Sequence, residues 1–561
     1  MEKIWLRSYP QGVPETINVD TYSSLVEAFK THCEQFSKNI SFSNFGVKIT
    51  YEELYKMSYY FAVFLNQHLK IKPSERFAIM MPNILQFPVA MFGALQAGLI
   101  IVNVNPLYTA RELACQLKDS GATGIIVIEN FAHELEKALP QTEIQHVIVA
   151  KLGDLLGFIK GRLINFAVAH VKKMVPKWNI PHAIFFKDSL HIGRKAQLPE
   201  IDIKREDPAF LQYTGGTTGL SKGAVLTHRN ILANVAQGLA WMKSGLLLGN
   251  ETVLTPLPLY HIFSLTICCF CFMSLGSECL LVTNPRDLNG LIKIMKKEPP
   301  TVFIGLNTLF NALLHYPRFS QVDFSRLKLV VAGGMALQKC VADEWEKQTG
   351  VAIIEGYGLT EASPVVSINP LTLKNYNGSI GLPIPDTEVI IRDEEKNVVD
   401  IGKAGELCVR GPQVMRGYWN NPTETAEVLD GDGWLRTGDI AKMDDRGFLY
   451  ILDRKKDMIL VSGFNVYPSE VEEVLASHPG VKEAAVIGVS DAKSGEAVKA
   501  FVVKKRKKDV LSEKDILAYC RERLTGYKIP KYIEFRAQLP KSTVGKVLRR
   551  VLREGDGQVF E

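Results

Sequence analysis

The sequence predicts an α/β protein with a large N-terminal domain, a β-rich part at its end, and a small C-terminal α+β domain. Three observations predict it. Strand-like and helix-like runs alternate through the first 350 residues. The pattern changes to short strands separated by Gly, Pro and Asp between about 378 and 452. It changes again at the basic run Asp453–Asp457 (DRKKD), which leads into a last segment where strands and helices alternate once more. A chain of 561 residues is too long for one core, so more than one domain is required. The expected division is 1–452 and 453–561.

The elements follow in order. Residues 22–38 and 50–67 read as helices. Thr50 with Glu53 fits a capping box, and Leu54, Met57, Phe61, Phe64 and Leu65 form one apolar face. The runs Phe77–Met81, Ile100–Val104 and Thr123–Glu129 read as strands, with helices near 86–97 and 109–118 between them. Leu327–Ala332, a helix near 337–349 and Val351–Ile354 repeat this rhythm. Such βαβ units imply a parallel sheet.

Composition narrows the function. Hydrophobic residues at 46% and charged residues at 22% are ordinary for a soluble enzyme. A net charge of +6 is too small and too dispersed to indicate nucleic acid. The nine cysteines form no metal-ligand pairs, and Cys268, Cys269 and Cys271 read as buried thiols in a reducing, cytoplasmic setting. The N-terminus MEKIWLRSYPQG has no secretory apolar region. Ile262–Ser277 is short of a spanning helix and reads as a buried core helix.

Residues 155–187 contain no Asp or Glu. Lys160, Arg162, Lys172, Lys173 and Lys177 are interleaved with Leu155, Leu156, Phe158, Ile159, Leu163, Ile164, Phe166, Val171, Met174 and Trp178. A basic amphipathic segment of this kind can lie on an anionic membrane surface, or it can pack on its own domain with the basic face solvated.

The chemistry centres on Tyr213–Ala224, YTGGTTGLSKGA, between two strand-like runs. Its glycines let backbone approach a ligand, and its hydroxyls and lysine are donors of the kind a polyphosphate accepts. It is not a Walker loop, because Gly follows the lysine and no helix begins there. Taken alone it is equally a mobile hairpin. In Glu355–Pro364, EGYGLTEASP, an aromatic is followed by a hydroxyl and a carboxylate; Tyr357 could stack on a base, Thr360 donate to phosphate and Glu361 hold Mg²⁺. Gly433–Asp439, GWLRTGD, precedes Asp453–Arg454 by fourteen residues; Asp439 can accept both hydroxyls of a ribose and Arg454 adds a fork of donors. In LPKSTVGKVLRR, Lys546 follows a glycine and precedes an apolar–basic run. Each cluster alone is also an ordinary turn or an exposed charge.

Together, in this order, these motifs and PLYHIF (258–263) resemble the adenylate-forming superfamily of acyl-CoA synthetases, luciferases and adenylation domains, over essentially the whole chain. The longer runs TNPRDLNGL, DRKKDMILVSGFNVYPSEVE and LTGYKIPKYIEFR look like bacterial long-chain fatty acid–CoA ligases. The resemblance implies a barrel-like form for the β-rich part and a mobile C-terminal domain. It implies ATP, Mg²⁺ and coenzyme A, and a long-chain fatty acid activated through an acyl-adenylate for degradation. In that pattern Tyr213, Thr214, Gly215, Gly216, Thr217, Thr218, Gly219 and Lys222 surround the β- and γ-phosphates. Glu361 and Thr217 would hold the metal, and Thr360 would contact the α-phosphate. Gly333, Gly334, Glu355, Gly356 and Tyr357 would line the adenine pocket, with Asp439 and Arg454 on the ribose. Lys546 would bridge carboxylate and α-phosphate, His261 would sit near the acyl carboxylate or gate it, and Lys456 would be the pivot.

The segments around 235–245 and 262–275 would line an acyl tunnel. Ser462–Asn465 would face the coenzyme A channel after rotation. One departure is Leu460, where some members carry lysine. The expected partners are the fatty acid, ATP, coenzyme A and, through 155–187, the inner face of the cell membrane; a homodimer is left open and no nucleic acid is expected. The competing readings are a ligase for a medium-chain or aryl acid, and an inactive adenylation fold used for binding.

Overall fold

A computed structural model describes residues 2–214, 221–242, 245–491, 493–506, 511–542 and 545–555. Two large sheets carry most of the chain. In the eight-stranded sheet the spatial order is Gly417–Tyr418, Lys222–Thr227, Pro208–Thr214, Ile100–Asn103, Arg76–Met80, Gly124–Ile128, His146–Ala150 and Ile184–Phe185. Its strands from Pro208–Thr214 onward are parallel, as the βαβ rhythm predicts. The Gly/Thr-rich segment joins two antiparallel neighbours, Pro208–Thr214 and Lys222–Thr227. The nine-stranded sheet has a parallel centre, Ile353–Gly358, Leu329–Ala332, Val302–Gly305, Thr252–Thr255 and Glu278–Leu281, with antiparallel strands at both edges.

The main core lies between these sheets. Phe77, Ile79, Ile101 and Phe210 of one sheet and Phe42, Val253, Val302 and Ile304 of the other belong to one buried cluster with the intervening helices. The helix Tyr51–Val63 starts at the predicted box: Thr50 accepts from the Glu53 backbone, and Glu53 accepts from the Thr50 backbone. The helix Gln86–Gln96 is buried along its whole length, so its sequence is apolar all round rather than striped. The predicted buried helix at 262–277 is present, but Ser264–Cys271 within it is π-wound, followed by the α-helical Phe272–Ser274. Cys268, Cys269 and Cys271 are buried free thiols in it.

Glu388–Arg392, Gly405–Arg410, Leu435–Met443 and Leu449–Arg454 form an antiparallel sheet in the region where short strands were expected. A further sheet orders Phe464–Val466, Ile459–Val461, Gly495–Lys504 and Val481–Asp491, with Tyr532–Arg536 parallel to Gly495–Lys504. Arg549 reaches Asp453 at 3.0 Å, Asp457 at 3.3 Å and Glu472 at 2.8 Å, which ties the DRKKD run to this last unit.

Among the described residues no helix is long and apolar enough to cross a membrane. Residues 155–187 form the helix Phe158–Phe166 and the π-turn Ala167–Val171. The helix sits on its domain through small and polar groups: the Asn165 side chain accepts from the Gly153 backbone at 2.7 Å, and a Cβ on Gly161 would lie 2.2 Å from the Gly153 carbonyl. Ile164 packs on the main core, while its other large apolar residues face outward. Phe158, Ile159, Leu163, Phe166, Val171 and Met174 are between 54% and 73% exposed.

Candidate active site

A deep cleft opens where the carboxyl ends of the parallel strands meet the antiparallel sheet and the C-terminal unit, the position where open α/β sheets take ligands. Strand Thr252–Thr255 delivers Pro256–His261, Val302–Gly305 delivers Leu306–Thr308, and Leu329–Ala332 delivers Gly333–Gly334. The loop before His261 is fixed by buried amides. Asn83 donates to the Thr255 and Leu257 carbonyls and accepts from the Leu259 backbone, while Gln212 donates to the Tyr260 carbonyl at 2.7 Å.

Asp439 and Arg454 are direct cross-strand partners in the hairpin of Leu435–Met443 and Leu449–Arg454. Their fourteen-residue separation is thus the length of one hairpin. Arg454 Nε donates to Asp439 Oδ1 at 2.7 Å and Tyr357 Oη donates to Oδ2 at 2.5 Å. Asp439 is 2% exposed. Withdrawing a lone carboxylate from water costs several kcal/mol, and each hydrogen bond to a charged group returns about 1.5–3 kcal/mol. Burial still pushes the Asp439 carboxyl up, against the pull of Arg454 and Tyr357. Burial works against the Arg454 charge too, but Asp439 holds its pKa above the usual value.

Lys546 enters this cleft from a turn near the C-terminus. The Lys546 N–H donates to Ser542 Oγ at 3.1 Å, and the Ser542 N–H donates to the Lys546 carbonyl at 2.7 Å. Gly545 has φ +85°, and a Cβ there would lie 2.9 Å from Thr308 Oγ1, so glycine is needed both for the turn and for the close approach. Gly334, at φ +78°, faces the lysine stem: its Cβ position lies 3.7 Å from Lys546 Cε. Burial lowers the Lys546 pKa and Arg454 lowers it further, while Asp439 and Glu361 oppose them. His261 is close enough that burial, then the Lys546 charge, push it down to about 3, so its ring is neutral at working pH.

Glu361 follows Thr360 in a single 3₁₀ turn after Ile353–Gly358. Its Oε1 accepts from Tyr418 Oη at 2.7 Å, and Lys222 pairs with Glu424. Thr360, Glu361, Tyr213, Thr214 and Lys222 all line the cleft. Tyr213 Oη donates to Asp119 Oδ2 at 2.5 Å. Gly333 and Gly356 lie one above the other, with the Gly356 carbonyl 3.4 Å from the Gly333 Cβ position. Lys456 also lines the cleft, and burial lowers its pKa. Gly215, Gly216, Thr217, Thr218 and Gly219 lie outside the described residues. Leu460 is 49% exposed, and its backbone N–H donates to Glu496 at 2.7 Å.

Glu355 differs from its neighbours. Its Oε1 accepts from the Leu337 backbone at 3.0 Å, so the carboxyl supports the turn leading into the helix Lys339–Thr349. Tyr418 and Glu424 are cleft residues that no motif announced; their contacts with Glu361 and Lys222 join segments distant in the chain, 57 residues apart for Tyr418 and Glu361, and no local spacing encodes them.

A Mg²⁺ fits this set of donors. Among the described residues there is no cluster of three metal-binding side chains, but Glu361 presents one carboxylate in the cleft, and Mg²⁺ needs only one or two carboxylates when phosphate oxygens and water complete its shell.

The fold and this convergence of groups are those of an adenylate-forming enzyme. The chain belongs to the AMP-binding enzyme family, matching it over residues 29–419 and matching the AMP-binding enzyme C-terminal domain over 470–546. It is 54% identical over 554 residues to a long-chain-fatty-acid–CoA ligase of Escherichia coli O157:H7, covering 99% of this chain and 98% of the other. A long-chain-fatty-acid–CoA ligase of Bacillus subtilis is 40% identical, with 99% and 98% covered. The crystal structure of the anthranilate CoA ligase AuaEII with anthranoyl-AMP superimposes with a TM-score of 0.84 at 26% identity, covering 95% of this chain and 98% of that one.

The buried Glu355 gives a stability prediction. Burial pushes its carboxyl from 4.5 up to about 8. Between those values the folded state holds a proton that the unfolded chain has released, so this group's stabilisation is complete below 4.5 and is lost as pH rises towards about 8. Glu355→Gln removes the titration. Thermal melts across that range are expected to show a smaller fall of Tm with pH in the variant than in the wild type. An unchanged slope contradicts this assignment.

Proposed function

We propose that this enzyme activates long-chain fatty acids with ATP and coenzyme A, and that Thr360, Glu361, Asp439, Arg454 and Lys546 carry the first half-reaction. The observation that carries the reading is that these five side chains, from three separate stretches of sequence, line one cleft. Near-full-length identity of 54% to ligases for long-chain acids supports the choice of substrate.

In this reading a carboxylate oxygen attacks the α-phosphorus of ATP and pyrophosphate leaves. The sulfur of coenzyme A then attacks the acyl carbonyl carbon and AMP leaves. Two anions must meet in the first step, and Lys546 offsets their repulsion at the point of contact. Asp439 holds the ribose hydroxyls and Arg454 holds Asp439. Tyr357, Gly333, Gly334 and Gly356 bound the adenine. Thr214, Thr217, Thr218 and Lys222 donate to the outer phosphates, and Thr360 to the α-phosphate. Mg²⁺, held by Glu361 and the phosphate oxygens, would neutralise charge on the departing pyrophosphate. Neutral His261 borders the acyl carboxylate.

The boundary between the two domains falls at Asp453, with Lys456 as the pivot. Rotation there would withdraw Lys546 and bring Ser462–Asn465, the exposed turn after Ile459–Val461 and the start of Phe464–Val466, to the coenzyme A side. The alternative of an aryl acid draws on relatives of lower identity, the solved anthranilate ligase at 26% among them. Each buried methylene contributes about 0.8 kcal/mol, so an alkyl tunnel separates these readings sharply. With palmitate, octanoate and benzoate assayed separately for AMP release, palmitate is expected to give the highest kcat/KM; a preference for benzoate would overturn the long-chain reading.

The enzyme meets its lipid substrate at the inner face of the cell membrane, in the cytoplasm, through the outward face of Phe158–Phe166 and the following turn. The turn Phe45–Gly46 extends this face, since Lys160 donates to the Phe45 carbonyl and Phe45 is 44% exposed. Apolar side chains ringed by lysines and arginine suit an anionic bilayer. Reversing charge at Lys160, Arg162, Lys172 and Lys173 is expected to abolish co-sedimentation with phosphatidylglycerol vesicles, while unchanged binding counts against this surface.

A further inference from the structure

Three residues after Lys546, Arg549 opens the short helix Arg549–Arg553. Its guanidinium is the hub of an ion cluster to which the cleft chemistry gives no task. Nε and Nη2 hold the two oxygens of Glu472 at 3.2 and 2.8 Å. Nη1 reaches Asp453 Oδ1 at 3.0 Å and Asp457 Oδ2 at 3.3 Å. Arg553 adds a bond to Asp457 Oδ1 at 2.7 Å. Three carboxylates thus meet two arginines, and the Asp453 side chain is 2% exposed. Such a buried cluster is weak evidence for stability, because desolvation takes back much of what pairing gives. Its better-attested use is to select one arrangement over others.

The members of the cluster divide at Lys456. Asp453 stands before it, in the strand Leu449–Arg454 that pairs with Leu435–Met443. Asp457, Glu472, Arg549 and Arg553 stand after it. Glu472 lies on the helix Pro468–Ala476 and also accepts from the Val486 backbone at 2.8 Å. Leu552, in the Arg549 helix, packs with Ala485 and Phe501. These four residues therefore belong to one body, and Asp453 belongs to the other, beside the Arg454 that holds Asp439. Among the described residues, the contacts of this cluster that cross Lys456 are those of Asp453: Oδ1 with Arg549, and Oδ2 with the Ser469 N–H at 2.7 Å in the first turn of Pro468–Ala476. A rotation at Lys456 leaves Arg549 on Glu472 and Asp457 but takes it from Asp453. Lys546 is carried along, because its turn runs directly into the Arg549 helix, with the Leu548 N–H donating to the Pro540 carbonyl at 2.9 Å.

We propose that the Arg549–Asp453 pair is a latch: it positions Lys546 for the first half-reaction and opens before the second. Arg549 is then a positioning residue that acts through Lys546. This rests on the reading of Lys456 as the pivot and of Lys546 as the lysine of the first step. Two assays separate the halves: palmitate-dependent exchange of pyrophosphate into ATP, and palmitoyl-coenzyme A formed from supplied palmitoyl-adenylate and coenzyme A. A misplacement of about 1 Å at a reacting group can cost about a hundredfold in rate. Asp453→Asn keeps an oxygen for Ser469 and nearly the same shape, so it is the safer variant for folding. It is expected to lower exchange at least about tenfold, with thioester formation equal to wild type or faster. Arg549→Lys keeps the charge but loses the fork, and is expected to split the halves in the same direction. Glu472→Gln weakens a pair that lies wholly on one side of Lys456, and is expected to lower Tm without changing the ratio of the two rates. A parallel loss of both rates in Asp453→Asn and Arg549→Lys, no loss in either, or an equal split in Glu472→Gln overturns the latch while leaving fatty-acid activation standing. A wild type that lacks either half-reaction overturns the underlying reading and the latch with it.

Discussion

A lysine charge carried into a cleft that excludes much of its water is the constraint on which the surrounding structure depends. Burial lowers the Lys546 pKa, and the nearby Arg454 charge lowers it further. The opposing carboxylates are Asp439 and Glu361. Each of these has its own partner: Asp439 is held by Arg454 and Tyr357, and Glu361 by Tyr418. Removing water makes every such interaction stronger, which is why few charges suffice and why their positions matter.

The strand ending in Arg454 has a second task. In DRKKD, Arg454 and Lys456 line the cleft, while Asp453 and Asp457 bind Arg549, and Asp457 also binds Arg553. Adjacent residues therefore bind different parts of the molecule. Asp453 also accepts from the Ser469 backbone at 2.7 Å. Five residues thus connect the cleft with the C-terminal unit that carries Lys546, without a long linker between them.

Much of this was legible in the sequence because it is local. The Thr50–Glu53 box lies within one turn and was read from spacing alone. The βαβ rhythm follows from hydrophobic periodicity. Asp439 and Arg454 could be paired on paper because a single hairpin joins them. The π-winding of Ser264–Cys271 was not legible, since an apolar run reads the same whether its bonded groups are four or five positions apart. Tyr418 and Glu424 were missed because their partners come from distant segments. Glu355 stands in the motif read for the adenine pocket and lines the cleft, and its carboxyl also accepts from the Leu337 backbone, a contact no local spacing encodes. For residues 155–187, charge pattern suggested an amphipathic surface, but only the packing of Gly161 and Asn165 against Gly153 shows that the apolar side faces outward.

The central claim is that Lys546 is the group that brings carboxylate and α-phosphate together. The most direct measurement is palmitate-dependent exchange of pyrophosphate into ATP with Mg²⁺, which isolates the first half-reaction, in wild type and Lys546→Ala. The account predicts exchange in the wild type and a loss of at least about a hundredfold in the variant, the scale of one removed transition-state donor. Equal exchange in both proteins would contradict it.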